Sequence, residues 1–197
     1  GASCRPVGVS LPEQGWDTDG LAATIAQTSP RMAYLMPDFH NPTGRCMDDE
    51  TRHVIADIAA RTRTTLVIDE TMVNLWYDAP PPPPLAAYHR DAPVIMLGSA
   101  GKSFWGGLRL GWVRAPSRTI AALVQTRDTV DLGSPVIEQL ATTWLLDNAD
   151  SFLPQRRQQL AARRALCNTL MRKHFPEWRY QQPQGGLSFW VELPDTL

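Results

Sequence analysis

The sequence predicts an α/β fold in which the strands of a sheet are joined by crossover helices. The first observation is that short, β-rich apolar runs alternate with stretches of helical periodicity. The second is that three of these runs carry polar residues at or near their ends, where α/β sheets bind ligands. The third is composition, because 197 residues of which 43% are hydrophobic and 20% charged supply a globular core.

The first predicted elements are a strand and a helix. The apolar run from Ala33 to Met36 predicts a short buried strand. From Asp48 to Arg63 the apolar residues fall on one helical face and the charges on the other, which predicts an amphipathic helix. The residues on the apolar face are Val54, Ile55, Ile58 and Ala59.

Three further strands follow this helix. "TTLVIDE" predicts a strand from Thr65 to Ile68 that ends in Asp69 and Glu70. We expect Asp69 to lie at the ligand-binding edge of the sheet and Glu70 to be the solvated member of the pair. "PVIMLGS" predicts a strand from Val94 to Leu97, and "LRLGWV" predicts another after a glycine-bearing turn. Between them, the proline run 80–84 predicts a stiff surface connector, with an SH3-type ligand as the alternative.

The chain becomes helical from Ser117 onward. Ser134-Pro135 predicts a helix start with proline at the first helical position. A long Arg-rich helix follows, and its predicted apolar stripe consists of Leu160, Cys167, Leu170 and Met171. After Pro176, two β-like segments around Gly185-Gly186 predict a second, α+β subdomain. We therefore predict that residues 1–148 belong to one domain and that residues 149–197 begin a second, small domain.

Charge and cysteine content exclude several classes of function. The formal net charge is −1 and the pI is about 6.5, so no global basic field favours nucleic acid or an anionic membrane surface. The three cysteines show no CxxC spacing, which predicts neither a disulfide framework nor a zinc site. No apolar run approaches the roughly 20 residues that span a bilayer. We expect a cytoplasmic protein with no metal site and no membrane partner.

Three positions have residue types suited to chemistry. Lys102 lies among small and aromatic residues in "GSAGKSFWGGLRLGW", where a desolvated amine or a nearby cation such as Arg109 favours nucleophilic attack on an aldehyde. Asp69 ends an apolar strand, and Asn41 precedes a proline that restricts it to extended conformations. Each has a plainer interpretation. Lys102 would be a surface lysine in a glycine-rich turn, Asp69 a turn cap, and Asn41 part of an ordinary "NPTG" turn.

Taken in order, the motifs resemble a known family. "HNPTG", a strand ending in Asp69, Ser99 with Lys102 three residues on, and Arg109 before "LGW" resemble the fold type I, pyridoxal 5'-phosphate (PLP) dependent aminotransferases of class I/II. With "SPVIEQLATTWLL" and "PQGGLSFWVELP", the chain most resembles the aminotransferase-like domain of MocR-subgroup GntR transcriptional regulators. The resemblance implies the three-layer α/β sandwich of an aspartate aminotransferase-like major domain, followed by the start of the small C-terminal domain.

The resemblance also implies a role for each site residue. Lys102 is expected to bond covalently to the cofactor aldehyde and to move the substrate's α-proton. Asp69 is expected to face the pyridine nitrogen, Asn41 the phenolic oxygen, and Ser99 and Arg109 the phosphate. His40 and Thr43 are weaker candidates for the pocket lining. Thr71 and Met72 occupy the places where many relatives have a tyrosine, so the tuning of the cofactor is expected to differ.

Two functions follow from the resemblance. One is an effector-sensing domain that detects the cofactor or an amine, in a regulator whose DNA-binding domain lies outside this chain. The other is an aminotransferase that moves an amino group between an amino acid and a 2-oxo acid. A domain that has lost the cofactor is a third possibility. We expect the family's N-terminal part and C-terminal end to lie outside this chain, which as a fragment would be inactive, and we expect a homodimer.

Overall fold

A four-stranded sheet forms the centre of the computed structural model, which describes residues 4–127 and 129–194. The first three strands are parallel and the fourth is antiparallel to the third, so the sheet is mixed. All four strands predicted from the sequence are present. In spatial order they are β1 (Met32–Leu35), β2 (Thr65–Asp69), β3 (Val94–Ser99) and β4 (Gly111–Arg114).

Helices and a small second sheet complete the described chain. The α-helices are α1 (Thr18–Thr28), α2 (Asp49–Thr62), α3 (Ala100–Ser103), α4 (Ser117–Arg127), α5 (Val136–Asp147) and α6 (Ala149–His174). Two short 3₁₀ helices span Leu85–Ala87 and Gly106–Leu108, and β5 (Arg179–Tyr180) pairs with β6 (Val191–Glu192) in antiparallel fashion. No helix in the described ranges is long and apolar enough to span a bilayer.

Helix α2 follows the predicted bounds because its ends are capped by local sequence. The Asp48 carboxylate accepts a hydrogen bond from the Thr51 amide at 2.8 Å, and acidic residues in the first turn suit the positive end of the helix dipole. Arg63 ends the helix in a left-handed conformation. Ile55, Ile58 and Ala59 of its predicted apolar face pack against β2 in the main core, whereas Val54 is 36% exposed and its assignment to that face is wrong. Two residues, Arg63 and Thr64, connect α2 to β2.

The two faces of the sheet differ. Alternate strand residues, including Leu66 and Ile68, face α1 and α2 and are buried. The opposite face, which we call the open face, includes Met32 and Tyr34 of β1, and these side chains are 60% and 59% exposed. Asp69 lies on this side at the end of β2. Of the predicted three layers, the described residues thus supply the sheet and the helical layer of α1 and α2.

The C-terminal helices depart from the predictions in detail. Pro135 is the residue before α5 and not its first helical residue. On α6, Leu160 and Met171 are buried as predicted, but Leu170 is 45% exposed, so its assignment to the stripe is wrong. At 100° per residue, position 170 points about 80° away from position 160. The domain division at 148/149 remains a prediction, and Asn148 is the single residue between α5 and α6.

Candidate functional site

The carboxyl edge of the parallel strands collects most of the predicted site residues. Asp69 is the last residue of β2, and in the strand register it lies opposite Leu97 of β3. Ser99, two residues further along, ends β3 and begins the turn into α3, which carries Lys102. Asn41 follows β1 at the same edge, because β1 and β2 are parallel.

The Asp69 carboxylate is held by two donors. Its Oδ1 accepts a hydrogen bond from the Thr71 amide at 2.9 Å, and its Oδ2 accepts one from the Tyr34 hydroxyl. The residue is only 9% exposed. These two hydrogen bonds fix the position of the carboxylate at the edge of the sheet. The turn-cap interpretation and the site interpretation of Asp69 are therefore compatible.

Tyr34 is a site residue that the sequence analysis missed. Partial burial, the hydrogen bond to Asp69 and the charge of that carboxylate raise the pKa of the Tyr34 hydroxyl to about 12. The phenol consequently stays protonated and acts as a donor at neutral pH. The register offered a signal, because Tyr34 pairs with Val67, and Asp69 is the next residue of β2 on the same face.

Ser99, Lys102 and Arg109 meet around one cleft of about 290 Å³. Ser99 Oγ accepts a hydrogen bond from the Gly101 amide at 3.2 Å and so caps the start of α3. Lys102 is exposed, and Arg109 adopts a left-handed conformation with φ of 51° after the second 3₁₀ helix. The remaining residues that line the cleft are Gly98, Gly101, Gly106, Leu110 and Gly111.

The chemistry of this cleft fits an anionic ligand. A hydroxyl, a guanidinium and an ammonium group supply donors for a phosphate, and arginine offers paired N–H groups to such an anion. A side chain at Gly101 or Gly106 would make only ordinary van der Waals contacts with the protein. A methyl group on Gly101 would lie 3.6 Å from Ser99 Oγ, and one on Gly106 would lie 3.9 Å from the Gly101 carbonyl oxygen.

The turn "HNPTG" is bent back on itself by main-chain hydrogen bonds. The His40 amide donates to the Arg45 carbonyl at 2.8 Å, the Gly44 amide donates to the His40 carbonyl at 2.6 Å, and the Asn41–Pro42 peptide is cis. Asn41 is exposed, and its amide donates to the Met36 sulfur at 3.0 Å. The side chain of Asn41 is therefore presented to the surface at the edge of the sheet.

His40 is held by its neighbours. Its Nδ1 lies 3.0 Å from Thr43 Oγ1, and its ring meets Trp16 edge to face with centroids 5.6 Å apart. Burial, and to a smaller degree the charge of Arg45, lower the pKa of the imidazole. Within the described ranges, no group of three or more His, Cys, Asp or Glu side chains is placed to hold a metal ion.

The prediction that Glu70 is solvated is wrong. Its Oε1 is buried without a hydrogen-bond partner among the described residues. Burial and the charge of Asp38 raise the pKa of Glu70 to about 7, and the charges of Arg52 and Arg114 oppose this shift.

Arg52 was predicted on the charged face of α2, yet it is fully buried. Its Nη2 donates to Asp38 Oδ1 at 2.6 Å, its Nε to the Met47 carbonyl at 2.9 Å and its Nη1 to the Pro83 carbonyl at 3.1 Å. A buried guanidinium requires such partners, since an unpaired buried charge is strongly destabilising. This ion pair ties α2 to the segment that leads from β1 to Asn41.

A comparison with protein families identifies the chain. The profile described as "Aminotransferase class I and II" matches residues 2–196. The chain belongs to the class I and II aminotransferase family. This agrees with the resemblance inferred from "HNPTG", Asp69, Lys102 and Arg109.

Relatives of this aminotransferase family member include both regulators and enzymes. The chain is 28% identical to the uncharacterised HTH-type transcriptional regulator YdfD of Bacillus subtilis, covering 100% of the chain and 41% of that protein. It is 30% identical to the 2-aminoadipate transaminase of Thermus thermophilus, covering 96% of the chain and 49% of the enzyme. The chain thus spans less than half the length of these relatives.

Solved structures confirm the predicted aminotransferase fold. The crystal structure of LysN, the α-aminoadipate aminotransferase of Thermus thermophilus complexed with N-(5'-phosphopyridoxyl)-L-leucine, matches with a TM-score of 0.90 and 29% identity. The match covers 98% of the chain and 51% of LysN. The α/β architecture of the fold type I transferases is therefore that of this chain.

The partial burial of Glu70 predicts a pH dependence of stability. A carboxyl whose pKa is raised to about 7 in the folded state stabilises the fold fully below its unfolded value, near 4.5, and this contribution is lost as the pH rises through 7. Glu70→Gln should abolish the loss, so the variant gains stability relative to the wild type between pH 5 and 8. Denaturant unfolding across this range measures the effect.

The control for this experiment is Glu50→Gln, at an exposed position in the first turn of α2. The difference in the free energy of unfolding between Glu70→Gln and wild type should grow with pH. Curves that run parallel from pH 5 to 8 would contradict a raised pKa at Glu70.

Proposed function

We propose that this chain is a PLP-binding, aminotransferase-like domain that senses an effector within a GntR/MocR-type transcriptional regulator. The observation that carries this proposal is the cleft at the carboxyl edge of the sheet. There, Ser99, Lys102 and Arg109 line one space, and two hydrogen bonds hold the Asp69 carboxylate at the end of the neighbouring strand. An amine, phosphate donors and a carboxylate are the groups that a phosphorylated pyridine aldehyde requires.

Each residue has a role in this proposal. Lys102 would hold the cofactor aldehyde covalently through its amine, with release of water, and would hold or move the proton at the substrate's α-carbon. Ser99 and Arg109 bind the phosphate, Asp69 faces the pyridine nitrogen, and Asn41 donates to the phenolic oxygen. The cofactor, when bound, supplies an electron sink for the substrate carbon. Asp69 supports this chemistry because an anion keeps the pyridine nitrogen protonated.

The regulator function is favoured over the enzyme by the match to HTH-type regulators along the whole chain. A small amine or amino acid would then be the effector, and DNA would be bound by a domain outside this chain. The alternative, an aminotransferase, is favoured by the 30% identity to 2-aminoadipate transaminase. A cytoplasmic location is part of the proposal, and the free thiols of Cys4, Cys46 and Cys167 are consistent with a reducing compartment.

We include a homodimer in the proposal. The described helix α5 exposes apolar side chains on one side, and Ile137, the most exposed of them, is 79% accessible. The others on this side of the helix are Val136, Leu140 and Trp144. Contiguous apolar surface of this kind is typical of protein interfaces. A second copy of the chain is the partner that family members of fold type I use.

A cofactor and effector titration tests the function. PLP added to the chain should bind at one site per chain, as measured by equilibrium dialysis. In the longer parent protein, PLP or an added amino acid should change the affinity for promoter DNA while producing no 2-oxo acid. Formation of 2-oxo acid with turnover would support the enzyme instead, and absence of PLP binding in both proteins would refute the proposal.

A further inference from the structure

We propose that Asn74 is a positioning residue for Lys102, which links the lysine-bearing helix α3 to the long helix α6. Asn74 lies in the segment of residues 70–78 that follows β2, which we call the post-β2 loop. Its side chain and its main chain contact two different helices. The inference rests on the proposed function only in assigning chemistry to Lys102.

The first contact is made with α3. Asn74 Nδ2 donates to Ser103 Oγ at 3.2 Å, across 29 positions of sequence, and Ser103 is 3% exposed and adjacent to Lys102. Helix α3 has four residues, and a helix of this length is not stable alone in water. Its internal support includes the bond from the Phe104 amide to the Ala100 carbonyl at 2.9 Å. A side-chain bond from outside the helix is therefore expected to matter for its position.

The second contact is made with α6. Arg157 Nε donates to the main-chain carbonyl of Asn74 at 3.0 Å, and the Arg157 guanidinium lies 4.2 Å from the centre of the Trp76 ring. Seven residues further along α6, Arg164 binds both carboxylate oxygens of Asp78, at 2.6 and 2.7 Å. Two arginines of one helix thus hold both Asn74 and the end of the post-β2 loop.

Together these contacts form a mechanical link. A movement of α6 displaces the carbonyl of Asn74 through Arg157, and the Asn74 amide carries the displacement to Ser103. Lys102, the neighbour of Ser103, then changes its position relative to the cleft that it lines with Ser99 and Arg109. In a sensor domain, this link would make the position of Lys102 depend on the position of α6.

Hydrogen exchange of the unliganded chain tests the link without any cofactor. The reporter is the Phe104 amide, whose hydrogen bond closes α3. Asn74→Ala should increase its exchange about 2- to 12-fold, the range expected for one lost neutral hydrogen bond. Asn74→Asp should restore slow exchange, because the Ser103 hydroxyl can donate to a carboxylate. Protection of β2 and β3 should stay unchanged in both variants.

Arg157→Ala should raise the exchange of the same amide. Combining it with Asn74→Ala should add nothing further, because Arg157 acts on α3 only through Asn74. The matched control is Arg163→Ala, an exposed arginine of the same helix, which should leave the Phe104 amide unaffected. Ser103→Ala breaks the same hydrogen bond from the other end and keeps the test valid where Asn74→Ala fails to fold.

Unchanged exchange in both Asn74→Ala and Ser103→Ala, or additive effects of Asn74→Ala and Arg157→Ala, would overturn the inference. Borohydride trapping of PLP on the same variants gives an independent readout. Slower trapping on Lys102 in Asn74→Ala, with rescue in Asn74→Asp, supports the positioning role. Should wild type trap no PLP while the exchange effects persist, the link stands and the proposed function fails.

Discussion

Lys102→Ala is expected to abolish covalent attachment of PLP to this chain. Wild-type protein mixed with PLP should show a visible absorbance band that differs from that of free PLP, because a lysine amine has bonded to the aldehyde. Borohydride should make the bond permanent, and peptide mass spectrometry should locate it at Lys102. In the variant, the protein-bound band and the modified peptide should both disappear, since alanine has no amine.

The chain offers a close control for this experiment. It contains one other lysine, Lys173, which lies exposed in the last turn of α6. Lys173→Ala removes the same charge and should retain the band and the modification at Lys102. Lys102 would be excluded from the proposed site if the modified lysine in wild type were Lys173. A band that persists in Lys102→Ala would exclude it as well. Loss of the band in both variants would indicate a general effect of charge on PLP binding.

Asp69→Asn is expected to weaken PLP binding by about 10- to 150-fold, the factor that corresponds to one lost hydrogen bond with a charged group. The substitution keeps the size of the side chain and removes the anion that would face the pyridine nitrogen. It has a second effect that needs no cofactor. The pKa of Tyr34, which is about 12 in the wild type, should fall but stay above its ordinary value of 10, because burial is the largest cause of the rise.

Ultraviolet titration of the tyrosines and equilibrium dialysis of PLP measure the two effects separately. Tyr34→Phe identifies the Tyr34 transition, because three other tyrosines titrate in the same spectrum. Asp131→Asn, at an exposed ion pair with Arg127, is the control for loss of a surface carboxylate. Undiminished PLP affinity in Asp69→Asn would contradict its role at the pyridine nitrogen, and an unchanged Tyr34 titration would contradict the hydrogen bond.

The sequence predicted the elements whose signals are local. Short apolar runs located β1, β2 and β3 to within two residues, whereas β4 begins three residues after the start of "LRLGWV". The apolar face and its flanking charges located α2. The convergence of Asp69 with the end of β3 also followed from pattern, because parallel strands must end at one edge. Such inferences need only periodicity and chain direction.

Other features depend on contacts between distant segments, which periodicity does not encode. The charges of α2 were expected opposite its apolar face, yet Arg52 is buried and donates to Asp38 and to the Met47 and Pro83 carbonyls. Glu70 was expected to be the solvated member of its pair with Asp69, but the charges that act on it, Asp38 and Arg52, belong to segments distant from β2. Tyr34 and Asn74 were missed because their partners lie 35 and 29 positions away.

The sheet described above ends in two strands, β1 and β4, that have a hydrogen-bonded neighbour on one side only within the described residues. Edge strands carry unpaired backbone groups that can pair with strands of other molecules. One of these edge strands, β1, also exposes the apolar side chain of Met32. Preparations of this chain should therefore be checked by light scattering before any titration. Turbidity from strand-mediated clustering would otherwise distort the same absorbance readings on which the lysine assignment depends.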